Sequence, residues 1–270
     1  MSAAPTRPLV RYHGGKWKLA PWIISHFPEH RVYCEPYGGG GSVLLRKPPA
    51  YAEVYNDLDG DIVNLFKVAR DRGPELLHAI SLTPFSREEF NEAYSVSACP
   101  LERARRTLVR SFQGFGSNGV HIVTGFRFNS NRSGTTPAHD WANYPAALAK
   151  VIARLQGVVI ENRDAIDCMM ALDTPGTLHY VDPPYPKGTR TDDGNDYAFE
   201  MDDNDHSHLV DCLLGLEGMV VLSGYPTEIY DRLGWRTVDK ATHADGASPR
   251  VERLWLSPNI NQKQMALEGM

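Results

Sequence analysis

The sequence predicts an α/β protein built on a Rossmann-like sheet with helices on both faces. One observation is a short apolar strand at 32–34 that runs through a glycine-rich turn into a helix start. A second is that the alternation of strands and helices resumes after about residue 142. Between residues 73 and 141 this rhythm is interrupted, which predicts a small helical insert that carries a β-hairpin.

These observations divide the chain into segments. We expect a flexible tail at 1–8, a main domain formed by 9–72 and 142–260, the insert at 73–141, and a second tail at 261–270. At 270 residues the chain can bury a full core and is at the upper edge of what one domain usually holds.

Composition excludes several classes of protein. The hydrophobic fraction of 42% is ordinary for a globular protein, and no apolar run approaches the ~20 residues that span a bilayer. The N-terminus lacks the apolar segment of a signal peptide, so we expect a cytoplasmic protein. Four dispersed cysteines contain no C-x-x-C, and His206 and His208 fall on different helix faces, so we expect no disulfide and no metal site.

The first strand and its turn contain Glu35, Pro36 and the glycines 38–41. A dinucleotide pattern that begins at Gly38 and Gly40 would require glycine at position 43, where Val43 stands. Glu35 would also repel a pyrophosphate. A ligand with adenosine and no phosphate fits better, and S-adenosylmethionine is the common one, because its cationic end tolerates a nearby carboxylate.

The second strand is predicted at 53–57, with Asp57 at its tip. An acid at this strand tip typically binds ribose hydroxyls. The alternative is structural: Asp57 or Asp59 could cap the following helix, which carries apolar residues along one face and stops before Gly73.

The insert has the features of a nucleic-acid-binding segment. Six arginines and one acid, Glu102, lie between residues 101 and 134, although the whole chain carries a net charge of −5. A capping box at 86–89 opens a short helix, an arginine-rich helix is expected at 101–112, and Asn118-Gly119 predicts a tight hairpin turn. Residues 125–132 alternate aromatic, basic and amide side chains, which can read bases, but a solvated hairpin remains the alternative.

The most informative stretch is Asp182-Pro183-Pro184-Tyr185, which follows a predicted buried strand at 178–181. The two prolines end the strand and leave a carboxylate, carbonyl oxygens and an aromatic ring at its carboxyl end, where α/β sheets bind ligands. This arrangement predicts a reaction centre for a flat, amino-bearing ring. The alternative is a proline-stiffened strand exit with a surface tyrosine.

The remaining elements continue the α/β pattern. We expect a helix at 145–155, a strand at 158–162, a long mobile loop at 186–202, an amphipathic helix at 208–216, a buried strand at 218–223, and strands near 235–239 and 251–256 on either side of a flexible loop at 241–250.

Four motifs in fixed order carry a resemblance: Gly14-Gly15-Lys16, the stretch 35–43, Asn56-Asp57 and Asp182-Pro183-Pro184-Tyr185. From about residue 10 to residue 258 the chain resembles the Dam-type DNA adenine-N6 methyltransferases, most closely the phage-encoded members. This resemblance implies a class I S-adenosylmethionine-dependent methyltransferase fold with a target-recognition insert. It also implies site-specific methylation of the exocyclic N6 of adenine in duplex DNA after base flipping.

The resemblance assigns roles residue by residue. The residues implied for catalysis are Asp182, Pro183, Pro184 and Tyr185. Those implied for binding S-adenosylmethionine are Tyr12, Lys16, Glu35, Pro36, Gly38, Gly40, Asp57, Asp164 and Asp182. Those implied for binding DNA are Arg106, Arg110, Asn118, Arg127, Asn129 and Arg132. No residue is assigned to a metal.

The insert departs from the family pattern after Gly119, so the resemblance does not transfer a recognition sequence to this chain. The expected partner is double-stranded DNA in a bacterial host cell, with no membrane and no metal, and the expected state is a monomer or weak dimer. Three alternatives stay open: a cytosine-N4 methyltransferase, a nicotinamide oxidoreductase and a catalytically silent DNA-binding relative. Asp182 disfavours a cytosine-N4 methyltransferase, and Val43 disfavours a nicotinamide oxidoreductase. The intact 182–185 motif, together with Lys16, disfavours a catalytically silent relative.

Overall fold

The structure is a computed structural model that describes residues 4–128, 134–189, 198–243 and 249–260. The chain forms two compact units, each made of three interleaved segments. The first contains Met1–Pro21, Gly39–Lys47 and Asp59–Asn162, and the second contains Trp22–Gly38, Pro48–Leu58 and Arg163–Met270. The predicted insert at 73–141 falls inside the first unit, and its separate DNA-binding role stays a prediction.

The described residues form seven strands. They are β1 (Val32–Glu35), β2 (Ala52–Asn56), β3 (Val158–Glu161), β4 (Thr177–Val181), β5 (Met219–Gly224), β6 (Arg236–His243) and β7 (Pro249–Leu256). All except β3 belong to the second unit, where they lie in the order β2-β1-β4-β5-β7-β6. Neighbours in the β2-β1-β4-β5 portion are parallel, and β7 is antiparallel to both β5 and β6. This mixed sheet confirms the predicted Rossmann-like α/β class.

The described residues also form eleven α-helices. They are α1 (Ala20–Ile24), α2 (Ser42–Arg46), α3 (Gly60–Asp71), α4 (Gly73–Leu82), α5 (Arg87–Glu92), α6 (Pro100–Gln113), α7 (Pro137–Ala142), α8 (Tyr144–Leu155), α9 (Ala165–Leu172), α10 (Asp203–Gly215) and α11 (Glu228–Asp231). A short 3-10 helix spans Lys187–Thr189. None of the helices in the described ranges is long and apolar enough to cross a membrane.

Helix ends follow the local sequence. Asp59 caps α3, because its side chain accepts hydrogen bonds from the backbone N–H groups of Asp61 and Ile62. Of the two acids considered for this cap, Asp59 therefore fills it. Ser86 likewise caps α5 by accepting from the N–H of Glu89. The first unit is predominantly helical, and α6 packs against α3 within it.

The core of the second unit lies around its central strands. Every residue of β4 and of β5 is buried, as expected for parallel strands that are covered on both faces. Residues of α9 and α10 pack with these strands in one cluster that includes Met169, Leu209, Leu222 and Trp255. Because parallel strands point the same way, the carboxyl ends of β1, β2, β4 and β5 meet at one edge of the sheet.

The predicted hairpin turn at Asn118-Gly119 is not formed as expected. The segment is a wide loop closed by an isolated antiparallel bridge between Gly114 and Phe126. Gly119 is not among the glycines with positive φ, which a two-residue hairpin turn requires. A side chain at this position would place its Cβ 2.6 Å from the carbonyl oxygen of Arg110. The glycine therefore serves close packing against α6.

The last two strands are longer than predicted. Their antiparallel pairing runs from Arg236↔Leu256 to His243↔Pro249, so both ends of the predicted flexible loop at 241–250 are strand. Residues 244–248 lie outside the described residues. The alternation of apolar and polar residues weakens at the loop-side ends of these strands, which is why the sequence pattern underestimates their length.

Candidate active site

Asp182 directly follows β4 and is fixed by the neighbouring strand. Its Oδ1 accepts a 2.7 Å hydrogen bond from the hydroxyl of Ser223, near the end of β5. The parallel register, in which Val181 pairs with Leu222, brings the two side chains to the same height. Pro183 is buried and Pro184 is half-buried, and each proline ring fixes the backbone φ of its own residue.

A buried tyrosine completes this contact. The hydroxyl of Tyr180 lies 3.0 Å from the Oγ of Ser223. Burial, together with the nearby charge of Asp182, raises the pKa of Tyr180 well above its ordinary value. Tyr180 therefore stays protonated and can donate to Ser223. The sequence pattern predicts both residues only as parts of buried strands; the one signal of a further role is a hydroxyl near the carboxyl end of each strand.

Tyr185 is buried rather than exposed. Its side chain is 4% accessible, and its hydroxyl donates a 2.9 Å hydrogen bond to Oε2 of Glu252 on β7. The ring also makes an edge-to-face contact with Tyr225, with centroids 4.7 Å apart. The alternative of a surface tyrosine is therefore wrong, and Glu252 is a further residue that was not predicted from the sequence.

Glu35 ends β1 as a buried carboxylate. It is 2% exposed and accepts a 2.6 Å hydrogen bond from the hydroxyl of Tyr33. Burial is the main cause that raises the pKa of Tyr33 well above its ordinary value, and the charge of Glu35 acts in the same direction. A negative charge is thus held at the carboxyl end of the strand that precedes the glycine-rich turn.

Asn56 holds three backbone segments at this same edge. Its Nδ2 donates to the carbonyl oxygens of Pro36 and Arg163 at 2.9 and 3.0 Å, and its Oδ1 accepts from the N–H of Arg163 at 3.0 Å. Its own carbonyl accepts from the N–H of Gly38 at 2.8 Å. Such multiple use of one buried amide was not predicted from the sequence.

Two acids follow the residues that this hydrogen-bond network joins, and they differ in exposure. Asp57 is half-buried next to Asn56, whereas Asp164 is exposed. Asp164 caps α9, because its Oδ1 accepts from the N–H groups of Ile166 and Asp167 at 2.8 and 3.2 Å. The structure therefore gives Asp164 a helix-capping role, and its predicted contact with the cofactor adenine stays a prediction.

The glycine-rich turn requires glycine for steric reasons. A Cβ at Gly38 would lie 2.2 Å from the ring of Tyr55 in the second unit. In the first unit, Gly39 has a φ of +47°, and a Cβ there would lie 2.8 Å from the ring of Tyr12. At Gly40 a Cβ would lie 3.1 Å from the Cβ of Tyr12. Tyr12 thus packs directly on the turn.

The lysine motif is fixed within the first unit. Lys16 is 6% exposed, and its ammonium donates a 2.8 Å hydrogen bond to the carbonyl oxygen of Gly14. Ser111 of α6 accepts from the N–H of Arg11 at 2.7 Å and donates to its carbonyl oxygen at 3.0 Å. The segment before the motif is therefore attached to the arginine-rich helix.

The arginines of the predicted DNA-binding surface are engaged by carboxylates. Arg106 contacts Glu102 at 2.6 Å, Arg110 lies 3.6 Å from Asp61, and Arg127 lies 3.9 Å from an oxygen of Asp140. The sequence has one acid and six arginines within 101–134. Two of these three acids lie outside that stretch, so the fold balances charges that the sequence leaves apparently unpaired.

The amide predicted to contact DNA is partly enclosed. The side-chain oxygen of Asn118 is buried and has no hydrogen-bond partner among the described residues. Its backbone carbonyl accepts from the N–H groups of His121 and Ile122. Asn129 and Arg132, the other predicted DNA contacts, lie outside the described residues. The DNA-binding role of these residues therefore stays a prediction.

The two histidines that were considered as metal ligands lie on different faces of α10, as predicted, and only one of them is exposed to solvent. His208 is exposed, whereas His206 is fully buried, with Nδ1 2.8 Å from the hydroxyl of Tyr230. Among the described residues no group of three histidine, cysteine or acidic side chains could hold a metal ion.

Comparison with known proteins identifies the family. A model of the D12 class N6 adenine-specific DNA methyltransferases matches residues 12–232. The chain is 26% identical to a Type II methyltransferase, M1.LlaDCHI, of Lactococcus lactis subsp. cremoris, over 84% of each protein. It is 25% identical to the DNA adenine methylase of Escherichia coli K12, over 66% of this chain and 65% of that protein. The matched region includes every motif from Tyr12 to Tyr185, and the chain belongs to the D12 class of N6 adenine-specific DNA methyltransferases.

Proposed function

We propose that the chain transfers the methyl group of S-adenosylmethionine to N6 of an adenine that is flipped out of duplex DNA at a specific sequence. The observation that carries this proposal is Asp182 at the tip of β4, with Oδ1 fixed by Ser223 at 2.7 Å. Membership in a family of N6 adenine-specific DNA methyltransferases supports adenine over cytosine as the target base.

The residues at the sheet edge fit S-adenosylmethionine as the methyl donor. When bound, this cofactor supplies an electrophilic methyl group on a positively charged sulfur. The buried carboxylate of Glu35 ends β1, and the half-buried Asp57 directly follows the neighbouring parallel strand β2. Negative side chains at this edge attract a cation and would repel a pyrophosphate. We further propose that Tyr12, Lys16, Pro36, Gly38, Gly40 and Asp164 bind S-adenosylmethionine.

Two acceptors would activate the target amine. The lone pair of an exocyclic adenine nitrogen is delocalised into the ring, which makes the nitrogen a weak nucleophile. Hydrogen bonds from its two N–H groups to the Asp182 carboxylate and the Pro183 carbonyl would draw it towards tetrahedral geometry. Proline at 183 suits this role because its ring fixes φ and it brings no N–H into the site. The chain would thus act through positioning and electrostatics, without a covalent intermediate.

The adenine must leave the duplex to reach these acceptors, at a cost of a few kcal/mol. Stacking on an aromatic ring is worth about 1–3 kcal/mol per base and would offset much of this cost. Tyr185 is the proposed stacking partner. Because its side chain is only 4% exposed, neighbouring side chains must move before a base can stack on it.

We propose that arginine and asparagine side chains of the first unit bind DNA. The proposed contacts are Arg106, Arg110, Asn118, Arg127, Asn129 and Arg132. Phosphates must compete with the carboxylates that already contact three of these arginines. A strongly charged duplex can do so, because released counterions favour binding at low salt.

The biological setting is also a proposal. The Lactococcus relative is named a Type II methyltransferase, which supports a role for this chain in a restriction–modification system. We propose that it acts on DNA in the cytoplasm of a bacterial host as a monomer or weak dimer, which sedimentation of the purified protein would test.

One experiment tests the methyl transfer. Plasmid DNA from a strain without adenine methylation is incubated with the purified protein and methyl-labelled S-adenosylmethionine, then sequenced for modified bases. We expect N6-methyladenine in one sequence context, and no label in DNA treated with the Asp182→Ala protein. Methylated cytosine N4, or unmodified DNA at saturating enzyme, would refute the proposal.

A further inference from the structure

We propose that Ser223 is a positioning residue, which holds the Asp182 carboxylate in the orientation that the target amine requires. This inference rests on the proposed role of Asp182 as an acceptor. No motif contains Ser223, and β5 is otherwise apolar from Met219 to Leu222.

The direction of the hydrogen bonds follows from the proton count. A serine hydroxyl has one proton. Ser223 donates it to Oδ1 of Asp182 at 2.7 Å, because an ionised carboxylate can only accept. The contact of 3.0 Å between Tyr180 and Ser223 must then run from the tyrosine hydroxyl to the serine oxygen. The result is a directed chain from Tyr180 through Ser223 to Asp182.

These hydrogen bonds constrain the side chain of Asp182, which the prolines do not. Pro183 restricts the backbone of the preceding residue, Asp182, to extended conformations. The carboxylate can still rotate about its side-chain bonds. Ser223 and Tyr180 are each 1% exposed, so they form a fixed anchor for a side chain that is itself only half-buried. Pro183 therefore restricts the backbone conformation of Asp182, and the hydroxyl of Ser223 holds the orientation of its carboxylate.

A hydroxyl is also chemically suited to this position. A carboxylate has about four lone-pair sites, and the bond from Ser223 occupies only one of them. A lysine or arginine would hold the carboxylate equally well but would offset the negative charge that draws the amine hydrogens. A buried serine among apolar residues is costly unless it is hydrogen-bonded, and here it makes two such bonds.

The test compares three substitutions in the full-length protein: Ser223→Ala, Tyr180→Phe and, as a matched control, Ser257→Ala. Ser257 is also a buried serine in the second unit, and its hydroxyl oxygen accepts a 2.9 Å hydrogen bond from the N–H of Val220, at the opposite end of β5. For each protein, kcat and the KM values for DNA and S-adenosylmethionine are measured together with thermal unfolding.

For Ser223→Ala we expect kcat to fall about tenfold, in the range expected for the loss of a hydrogen bond to a charged group, while both KM values stay within about twofold. For Tyr180→Phe we expect a smaller fall of about threefold, because Ser223 keeps its own bond to Asp182. Ser257→Ala should stay within about twofold of the unsubstituted protein.

A kcat for Ser223→Ala within twofold of the unsubstituted protein would overturn the inference. So would an equal loss in Ser257→Ala, since that would indicate a general effect on β5. If Ser223→Ala fails to fold, Tyr180→Phe decides: lowered kcat at constant KM supports positioning, and unchanged kcat overturns it. An Asp182→Ala protein with normal activity would instead refute the proposed function.

Discussion

The hydroxyl of Tyr185 donates a 2.9 Å hydrogen bond to the carboxylate of Glu252, across 67 positions of sequence. The last residue of the motif is thereby attached to β7, an antiparallel strand beyond the parallel part of the sheet. Both side chains are buried, at 4% and 7% exposure. The bond therefore stabilises the fold and also determines where the tyrosine ring lies.

Replacing Tyr185 separates these two contributions. Tyr185→Phe keeps the ring but removes a donor from a buried carboxylate, so the free energy of unfolding should fall by about 1–3 kcal/mol. Because the ring remains for base stacking, kcat should change little. Tyr185→Ala should lower both stability and methyl transfer. Urea unfolding and steady-state kinetics of the two variants check this, and equal activity of both would exclude a stacking role.

Asp182→Asn tests the negative charge of the proposed acceptor. The amide has nearly the shape of the carboxylate but presents one oxygen and an NH₂ group, which repels the amine hydrogens. We expect methyl transfer to fall at least about a hundredfold, in the range seen when a group that stabilises the transition state is removed. DNA binding should be preserved in a fluorescence titration. A parallel loss of DNA affinity would mean that Asp182 acts mainly in binding.

The sequence predicted the parts of the site that are local. The glycine turn, the prolines after β4 and the capping acid of α3 each depend on a few neighbouring residues, and each is found. Ser223 and Glu252 lie 41 and 67 positions from their partners, so only the order of strands in the sheet brings them together. One sequence does not determine that order, which is why neither residue was predicted.

Packing also changed expectations that were chemically reasonable. Asn-Gly favours a two-residue hairpin turn in isolation, but Gly119 does not have the positive φ of such a turn. It packs instead against α6, where a Cβ at Gly119 would lie 2.6 Å from the carbonyl oxygen of Arg110. Similarly, the arginines of α6 were counted without Asp61 of α3, which lies within 2.5 Å of the Arg103 side chain. Both differences arise because tertiary neighbours outweigh local sequence preference.

Gly39→Ala tests the glycine turn. With φ at +47° and the Tyr12 ring 2.8 Å from the added Cβ, the substitution is both strained and crowded. We expect the free energy of unfolding to fall by about 1–2 kcal/mol and the KM for S-adenosylmethionine to rise. The control is Gly60→Ala at the start of α3, where a Cβ meets nothing within 4 Å. That variant should match or slightly exceed the parent in stability, and equal behaviour of the two would contradict the steric argument.

Arg110→Ala tests the proposed contact with DNA. If Arg110 releases Asp61 and meets a phosphate, the slope of log affinity against log salt should become shallower by about 0.9. The control Arg232→Ala also removes one positive charge, but from an exposed pair with Asp211 in the second unit. Its slope should not change. If Arg110→Ala also leaves the slope unchanged, the arginine serves only its contacts within the first unit.

Glu102 predicts a pH-dependent contribution to stability. Hydrogen bonds from Arg105, followed by those from Arg106, lower the pKa of Glu102 to about 2 from its ordinary value of 4.5. A carboxyl with a lowered pKa stabilises the folded state fully above about pH 4.5, and the contribution disappears as pH falls towards 2. Because solvent reaches the cluster, we expect only about 1 kcal/mol at pH 7. In urea unfolding, the parent should exceed Glu102→Gln in free energy of unfolding by this amount at pH 7. The difference between the two proteins should decrease below pH 4.5. If the difference in unfolding free energy between the parent and Glu102→Gln stays constant down to pH 3, ionic pairing is excluded as its source.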